Sequence, residues 1–118
     1  MQKSLLIVDD SLFMRAWLKK IIKESFDINF LEAENGIEAI NKYKQFIPQL
    51  VLMDITMDGL NGIETLKELI RFDSKATVIM CSALGNKSLI TDALKIGAKD
   101  FVIKPNFQNL NSTIQKFL

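Results

Sequence analysis

Four short apolar runs in this chain end abruptly in a charge or a hydroxyl. Ser4-Leu5-Leu6-Ile7-Val8 meets Asp9-Asp10, and Leu50-Val51-Leu52-Met53 meets Asp54. Thr77-Val78-Ile79-Met80-Cys81 meets Ser82, and Phe101-Val102-Ile103 meets Lys104-Pro105. As neighbouring parallel strands, the four bring their C-terminal ends together. Three carboxylates, a hydroxyl and an ammonium then share one pocket. Such a cluster repels itself unless a cation sits in it. Hard oxygen donors without histidine suit Mg²⁺, and a lysine beside them suits a phosphoryl group as a point charge.

Helical periodicity fills the intervals. Ser11 is placed to cap a helix reaching about Glu24, with Met14, Trp17, Leu18, Ile21 and Ile22 on one face. Ile28 to Ala33 reads as a further strand. Asn35-Gly36 then opens a helix with Ile37, Ile40 and Tyr43 on one face, and Pro48 lies beyond it. The stretch 54–62 reads as a loop entering a helix with Ile63, Leu66, Leu69 and Ile70 inside. A helix from about Lys87 to Ile96 closes at Gly97. Strand five is Asp100 to Ile103. Asn106 is expected to cap a last helix with Phe107, Leu110, Ile114 and Phe117 on one face.

The pattern is (βα)₅, an α/β fold. Continuous apolar strands imply a parallel sheet covered on both faces, and right-handed crossovers wind it doubly. Ligands of such sheets bind outside the carboxyl ends of the strands, at the point where strand order reverses. The order adopted here, the flavodoxin-like 2-1-3-4-5, is a known doubly wound arrangement and not a product of the pattern. In it, strands one and three flank the switch point, where Asp9-Asp10 and Asp54 lie.

Composition narrows the function. A chain of 118 residues is enough for one domain over 1–118, and its 48% hydrophobic content supports a core. Fifteen basic and 14 acidic residues give a formal net charge of +1. There is no basic arm, so direct nucleic-acid binding is disfavoured. Lys19, Lys20 and Lys23 read as a solvated helix face. The single cysteine, Cys81, lies in an apolar run and reads as a buried small hydrophobe. Its lack of a disulfide partner fits a reducing compartment. No run has the length of a signal-peptide core or a membrane span, so a cytoplasmic protein without membrane partners is expected. The absence of histidine excludes a histidine-ligated metal, a Ser-His or Cys-His nucleophile, and a histidine phosphodonor in this chain.

Four pieces of sequence carry a family resemblance: Leu6-Ile7-Val8-Asp9-Asp10-Ser11; Asp54-Ile55-Thr56-Met57 with Gly62; Ser82-Ala83; and Gly97-Ala98-Lys99-Asp100-Phe101-Val102-Ile103-Lys104-Pro105. In order and at these separations, they make the chain resemble the response-regulator receiver domains of two-component signalling over essentially its whole length. Met80-Cys81-Ser82-Ala83-Leu84-Gly85, with an end at the fifth helix, resembles the CheY-like single-domain chemotaxis subgroup. The resemblance implies that Asp54 accepts a phosphoryl group as an acyl phosphate. It implies that Asp10 ligates Mg²⁺ directly and Asp9 partly through water, with Asp54 and the Thr56 carbonyl completing the protein ligands. Lys104 would bridge Asp54 and the phosphoryl oxygens, with a cis bond to Pro105. Ser82 would hydrogen-bond the phosphoryl group and move toward it. Phe101 stands at the switch-aromatic position, as a side chain that moves or as a permanently buried core residue. The family often has proline where this chain has Asp58, which adds a carboxylate near the site or merely a solvated one. Thr56 and Leu84 flank the site where water access is tuned.

The implied function is a switch that takes its phosphoryl group from a CheA-like histidine kinase by its own chemistry and loses it slowly, not an enzyme with a separate substrate. Its partner in trans would be a flagellar motor switch protein, with a phosphatase as a further partner. A monomer is expected, and the start methionine and compact end favour a free-standing protein over a receiver cut from a longer regulator. An aspartate-nucleophile phosphatase is disfavoured because Thr56 stands where its second acid belongs. A flavin carrier is disfavoured by the acidic, glycine-free loop after strand one. A phosphorylation-independent interaction module stays open through Asp58.

Overall fold

Strands and helices alternate along the chain as the apolar runs and helical stripes predict. The structure, a computed structural model, describes residues 3–57, 61–83 and 87–118. The elements are β1 (Ser4–Val8), α1 (Leu12–Lys23), β2 (Asn29–Ala33), α2 (Gly36–Phe46), β3 (Leu50–Asp54), α3 (Gly62–Phe72), β4 (Val78–Ala83), α4 (Lys87–Ile96), β5 (Asp100–Lys104) and α5 (Leu110–Gln115). All strand pairings are parallel, in the order β2-β1-β3-β4-β5. This is the expected flavodoxin-like sheet, with β1 and β3 adjacent at the switch point.

Alternation along each strand sorts the core into two layers. Leu5, Ile7, Leu50, Leu52, Ile79, Cys81 and Val102 pack with Leu18 and Ile22 of α1 and with Leu110 and Ile114 of α5. Leu6, Val8, Val51, Met53, Val78 and Met80 face α2, α3 and α4. Every residue of β3 is buried, as a central strand covered on both faces must be. Each fully buried leucine or isoleucine contributes about 1.5–3 kcal/mol relative to exposure.

Local chemistry starts the first three helices. The Ser11 hydroxyl accepts from the Met14 amide at 3.1 Å, and the side chains of Asn35 and Asn61 do the same for Glu38 and Glu64 at 2.9 Å. Gly97, at φ 143°, ends α4 in a conformation that costs glycine little.

Three expectations need correction. Asn106 does not cap the last helix: its side chain accepts from the Gln108 amide at 3.2 Å in a local turn, and α5 starts only at Leu110. Such side-chain-to-backbone bonds compete with helix formation. Phe107 is buried ahead of the helix, edge-on to Trp17 at 5.2 Å. Ile37 is 60% exposed. It lies about 120° around α2 from Tyr43, off the stripe that Ala39, Ile40 and Tyr43 turn inward. Lys19 is not merely solvated, because it pairs with Glu32 at 2.8 Å.

Ile47 ends α2 in the left-handed region at φ 42°, where its amide closes onto the Tyr43 carbonyl at 2.8 Å. A β-branched side chain is unfavourable there, and Pro48 restricts the same residue further. The side chain is half exposed, so little packing is lost on its removal. Ile47→Gly is expected to stabilise the fold by about 1 kcal/mol after the greater freedom of the unfolded glycine chain is counted. Urea denaturation of the two proteins measures it.

Candidate functional site

The alternation that builds the core also builds the site. Leu5 and Ile7, Leu50 and Leu52, and Val102 all face the α1–α5 layer. Two residues beyond each run, Asp9, Asp54 and Lys104 come up on the same side at the C-terminal edge of the sheet. The Lys104 Nζ lies 2.8 Å from Asp9 Oδ2 and 3.2 Å from Asp54 Oδ1. Asp9 and Asp54 are buried at 2% and 6% exposure, whereas Asp10 is exposed. Asp9, Asp10 and Asp54 each offer an oxygen, and these oxygens lie within 4.8 Å of one another.

Asp9 is tied down at every polar atom. Its amide donates to the Ala33 carbonyl at 3.1 Å. Its Oδ1 accepts from the Ser11 amide at 2.9 Å, its Oδ2 from Lys104, and its carbonyl from Arg15 at 2.7 Å. Asp10 makes no side-chain hydrogen bond among the described residues. The Asp9 carboxylate is therefore held in place at the site, beside the exposed carboxylate of Asp10.

Asp54 is held from the far side of the site. Its Oδ1 accepts from the Thr56 amide at 3.3 Å, and the next amide, that of Ile55, donates to the Cys81 carbonyl of β4 at 3.0 Å. The Gly62 amide donates to the Ile55 carbonyl at 2.9 Å, so α3 begins directly against the end of β3. A Cβ at Gly62 would sit 2.2 Å from the Asp54 carbonyl oxygen. Only glycine allows that approach.

Burial pushes the Asp54 carboxyl above its ordinary pKa; Lys104 opposes the rise and Asp9 adds to it. Burial likewise works against the Lys104 charge, but the hydrogen bond to Asp9 and the charge of Asp54 outweigh it and hold the ammonium above its ordinary pKa. The donors fit Mg²⁺. They are hard carboxylate oxygens within 4.8 Å of one another, and one of them belongs to an exposed residue. The one cysteine, Cys81, is buried, with its thiol pushed up to about 12 by desolvation.

The sequence model of the response regulator receiver domain matches residues 5–115. The chain belongs to that family. It is 50% identical to the chemotaxis protein CheY of Bacillus subtilis (strain 168) over 106 residues, which are 89% of this chain and 88% of the relative. A chain in the crystal structure of the CheX–CheY–BeF₃–Mg²⁺ complex from Borrelia burgdorferi superposes with a TM-score of 0.86 at 40% identity. The match covers 98% of this chain and 90% of that one. The response regulator domain of Thermotoga maritima CheB gives a TM-score of 0.85 at 35% identity, over 99% and 94% of the two chains. As a receiver, this chain is a phosphorylation switch and not an enzyme with a separate substrate.

The remaining residues of the receiver site divide. The Lys104-Pro105 bond is cis, as the resemblance implied. Ser82 lies within β4 and not beyond it, fully buried, with its hydroxyl donating to the Ala83 carbonyl at 3.1 Å. It sits one residue past Cys81, the register partner of Asp54, so alternation turns it away from the carboxylates. Phe101 is 38% exposed, which removes the permanently buried reading. Thr56 is exposed and Met57 is buried in the α2–α4 layer. Asp58, Leu84 and Gly85 lie outside the described residues. No helix among the described residues is long and apolar enough to cross a membrane.

Sequence reasoning missed Arg15, whose guanidinium reaches the Asp9 carbonyl and Glu32 Oε1 at 2.9 Å. The signal was available: Arg15 lies one helical turn beyond the Ser11 cap.

Without metal, Asp54→Asn is expected to raise stability at neutral pH. The raised pKa means that folding disfavours the ionised carboxylate. That penalty is absent at acid pH, where Asp54 is protonated in both states. It appears as pH rises through the unfolded value near 3.8 and is complete above the folded one. The stability difference between mutant and wild type, followed by urea denaturation from pH 3 to 8 (about the range that brackets ordinary carboxylates), is therefore expected to grow with pH.

Proposed function

We propose that Asp54 is the phosphoacceptor of a CheY-like chemotaxis switch. The observation that carries the reading is the Lys104 ammonium set between two buried carboxylates, beside an exposed third, at the ends of adjacent parallel strands. The reaction forms an Asp54 O–P bond as the P–N bond of a phosphohistidine breaks. The imidazole leaves with the electron pair and takes a proton from water. The donor is a separate protein, because this chain has no histidine, and a CheA-like histidine kinase fits. Asp10, Asp54 and the Thr56 carbonyl would hold Mg²⁺, with Asp9 acting partly through water. When bound, the ion neutralises charge on the transferring oxygens. The Borrelia chain at 40% identity comes from a complex containing Mg²⁺ and BeF₃, a small anionic group of roughly phosphoryl size, which supports this reading.

Lys104 leaves its bridge between Asp9 and Asp54 to follow the new phosphoryl oxygens, and the Ser82 hydroxyl turns from the Ala83 carbonyl toward them. The added charge biases an existing equilibrium. Output would use α4, β5 and α5. There a groove of about 420 Å³ is lined by Phe101, Ile103, Pro105, Asn109 and Thr113. A flagellar motor switch protein is the proposed partner, a phosphatase the proposed terminator, and the cytoplasm the proposed location of a monomer.

Intact-protein mass after incubation with acetyl phosphate tests the acceptor. A phosphoryl-sized gain is expected in wild type with Mg²⁺, and none without Mg²⁺ or in Asp54→Asn. A gain that persists in the mutant moves the acceptor elsewhere. Lys104→Ala is expected to bind Mg²⁺ at least as tightly, since it removes a competing cation. It is also expected to lose the change in partner affinity on phosphorylation. A Mg²⁺ titration and a pull-down with and without phosphoryl donor measure the two effects.

A further inference from the structure

Asp10 is the exposed carboxylate of the site, and no hydrogen bond from the described residues holds its side chain, so the peptide that carries it sets its aim. The peptide that carries it begins at the Asp9 carbonyl, which accepts a 2.7 Å hydrogen bond from Arg15. That guanidinium is itself fixed, with its Nε 2.9 Å from Glu32 Oε1 and its side chain only 11% exposed. Glu32 is braced in turn: Lys19 Nζ lies 2.8 Å from Oε2, and Lys42 bonds its backbone carbonyl. Glu32, on the edge strand β2, pairs in register with Ile7 of β1. Arg15 and Lys19, one turn apart on α1, therefore button the helix to that edge. Lys19 and Arg15 hold the Glu32 carboxyl below its ordinary pKa against a smaller effect of burial, so the bracket is charged at neutral pH.

We propose that Arg15, braced by Glu32, is a positioning residue that fixes the Asp9–Asp10 peptide and so aims Asp10 at the cation. The inference rests on the Mg²⁺ site proposed above. Groups that orient metal ligands without touching the metal are worth about 10- to 100-fold in affinity.

Charge and positioning predict opposite signs here, which makes the idea testable. Arg15 is a cation near a cation site, so a purely electrostatic role has Arg15→Met bind Mg²⁺ more tightly. A positioning role has it bind more weakly, by about tenfold at the low end of the range for such groups. The measurement is a titration with Mg²⁺ alone, read from amide chemical shifts at Asp10, Asp54 and Thr56 for wild type, Arg15→Met and Arg15→Lys. Urea denaturation of each variant separates affinity from global stability. Weakened binding in Arg15→Met, with the metal-free Asp10 and Ser11 amides displaced and with partial recovery in Arg15→Lys, supports the proposal. Unchanged or tighter binding in a folded Arg15→Met overturns it. If Arg15→Met does not fold, Glu32→Gln carries the test, because it keeps an acceptor for Arg15 but loosens the ion pair. Weaker Mg²⁺ binding with displaced Asp10 and Ser11 amides then supports the proposal, and unmoved amides overturn it. A wild type that binds no Mg²⁺ removes the underlying metal reading instead, so the two failures are distinguishable.

Discussion

Everything at the top of this sheet depends on one charge balance. Three carboxylates meet one ammonium, and two of the carboxylates are buried. The cluster is left short by two positive charges, the charge of one divalent ion. The balance also explains why the ammonium sits where it does. In low dielectric, two carboxylates a few ångströms apart cannot both stay ionised without a counter-charge, and Lys104 supplies one from the last strand. The proposed phosphoryl transfer would replace a single negative charge on Asp54 by a group of about −1.5 to −2. A lysine shared beforehand between Asp9 at 2.8 Å and Asp54 at 3.2 Å would then be drawn toward Asp54, and that redistribution is the proposed switch in electrostatic form.

The scaffold makes such a cluster tolerable. Folding brings the charges together only because apolar strands beneath them are already committed to the core. Asp54 follows four buried residues of β3, and Asp9 follows four of β1. Moving either strand by one residue would turn its whole apolar set to the wrong layer, so the core fixes the register of the charges above it. Gly62 adds a second constraint, because α3 can start against Asp54 only where no Cβ intervenes.

The sequence made the fold and the three acids legible because both follow from alternation and from where apolar runs stop. Lys104 was legible for the same reason. Misreadings arose where a local bond or a helix angle decides. The Asn106 side chain looked like a cap but closes a turn. Ile37 shared a face with Ile40 and Tyr43 on spacing, yet lies off the stripe that turns inward. Ser82 was placed beyond its strand, but β4 runs two residues farther, to Ala83, and alternation then faces Ser82 away from Asp54. Arg15 was invisible as a site residue because it acts through a backbone carbonyl, an acceptor that every residue has. Strand order came from the common doubly wound arrangement and not from the pattern, since nothing in a run of valines and leucines names its neighbour.

The position of Ser82 bears on how charge at Asp54 reaches the surface. In this state its hydroxyl is satisfied by its own strand. To reach a phosphoryl oxygen it must abandon the Ala83 carbonyl, and Ala83 pairs in register with Lys104 while Ser82 pairs with Ile103. Both groups proposed to answer the phosphoryl group therefore lie on adjacent rungs of the β4–β5 ladder. Phe101, three residues earlier on β5, is already partly out in solvent. Solvent exposure of an aromatic ring is unfavourable in proportion to the apolar area left in water, so any space opened behind Ser82 gives that ring a reason to move inward. The coupling needs no long-range wire. It needs two adjacent strands whose side chains cannot all be satisfied in both charge states of Asp54.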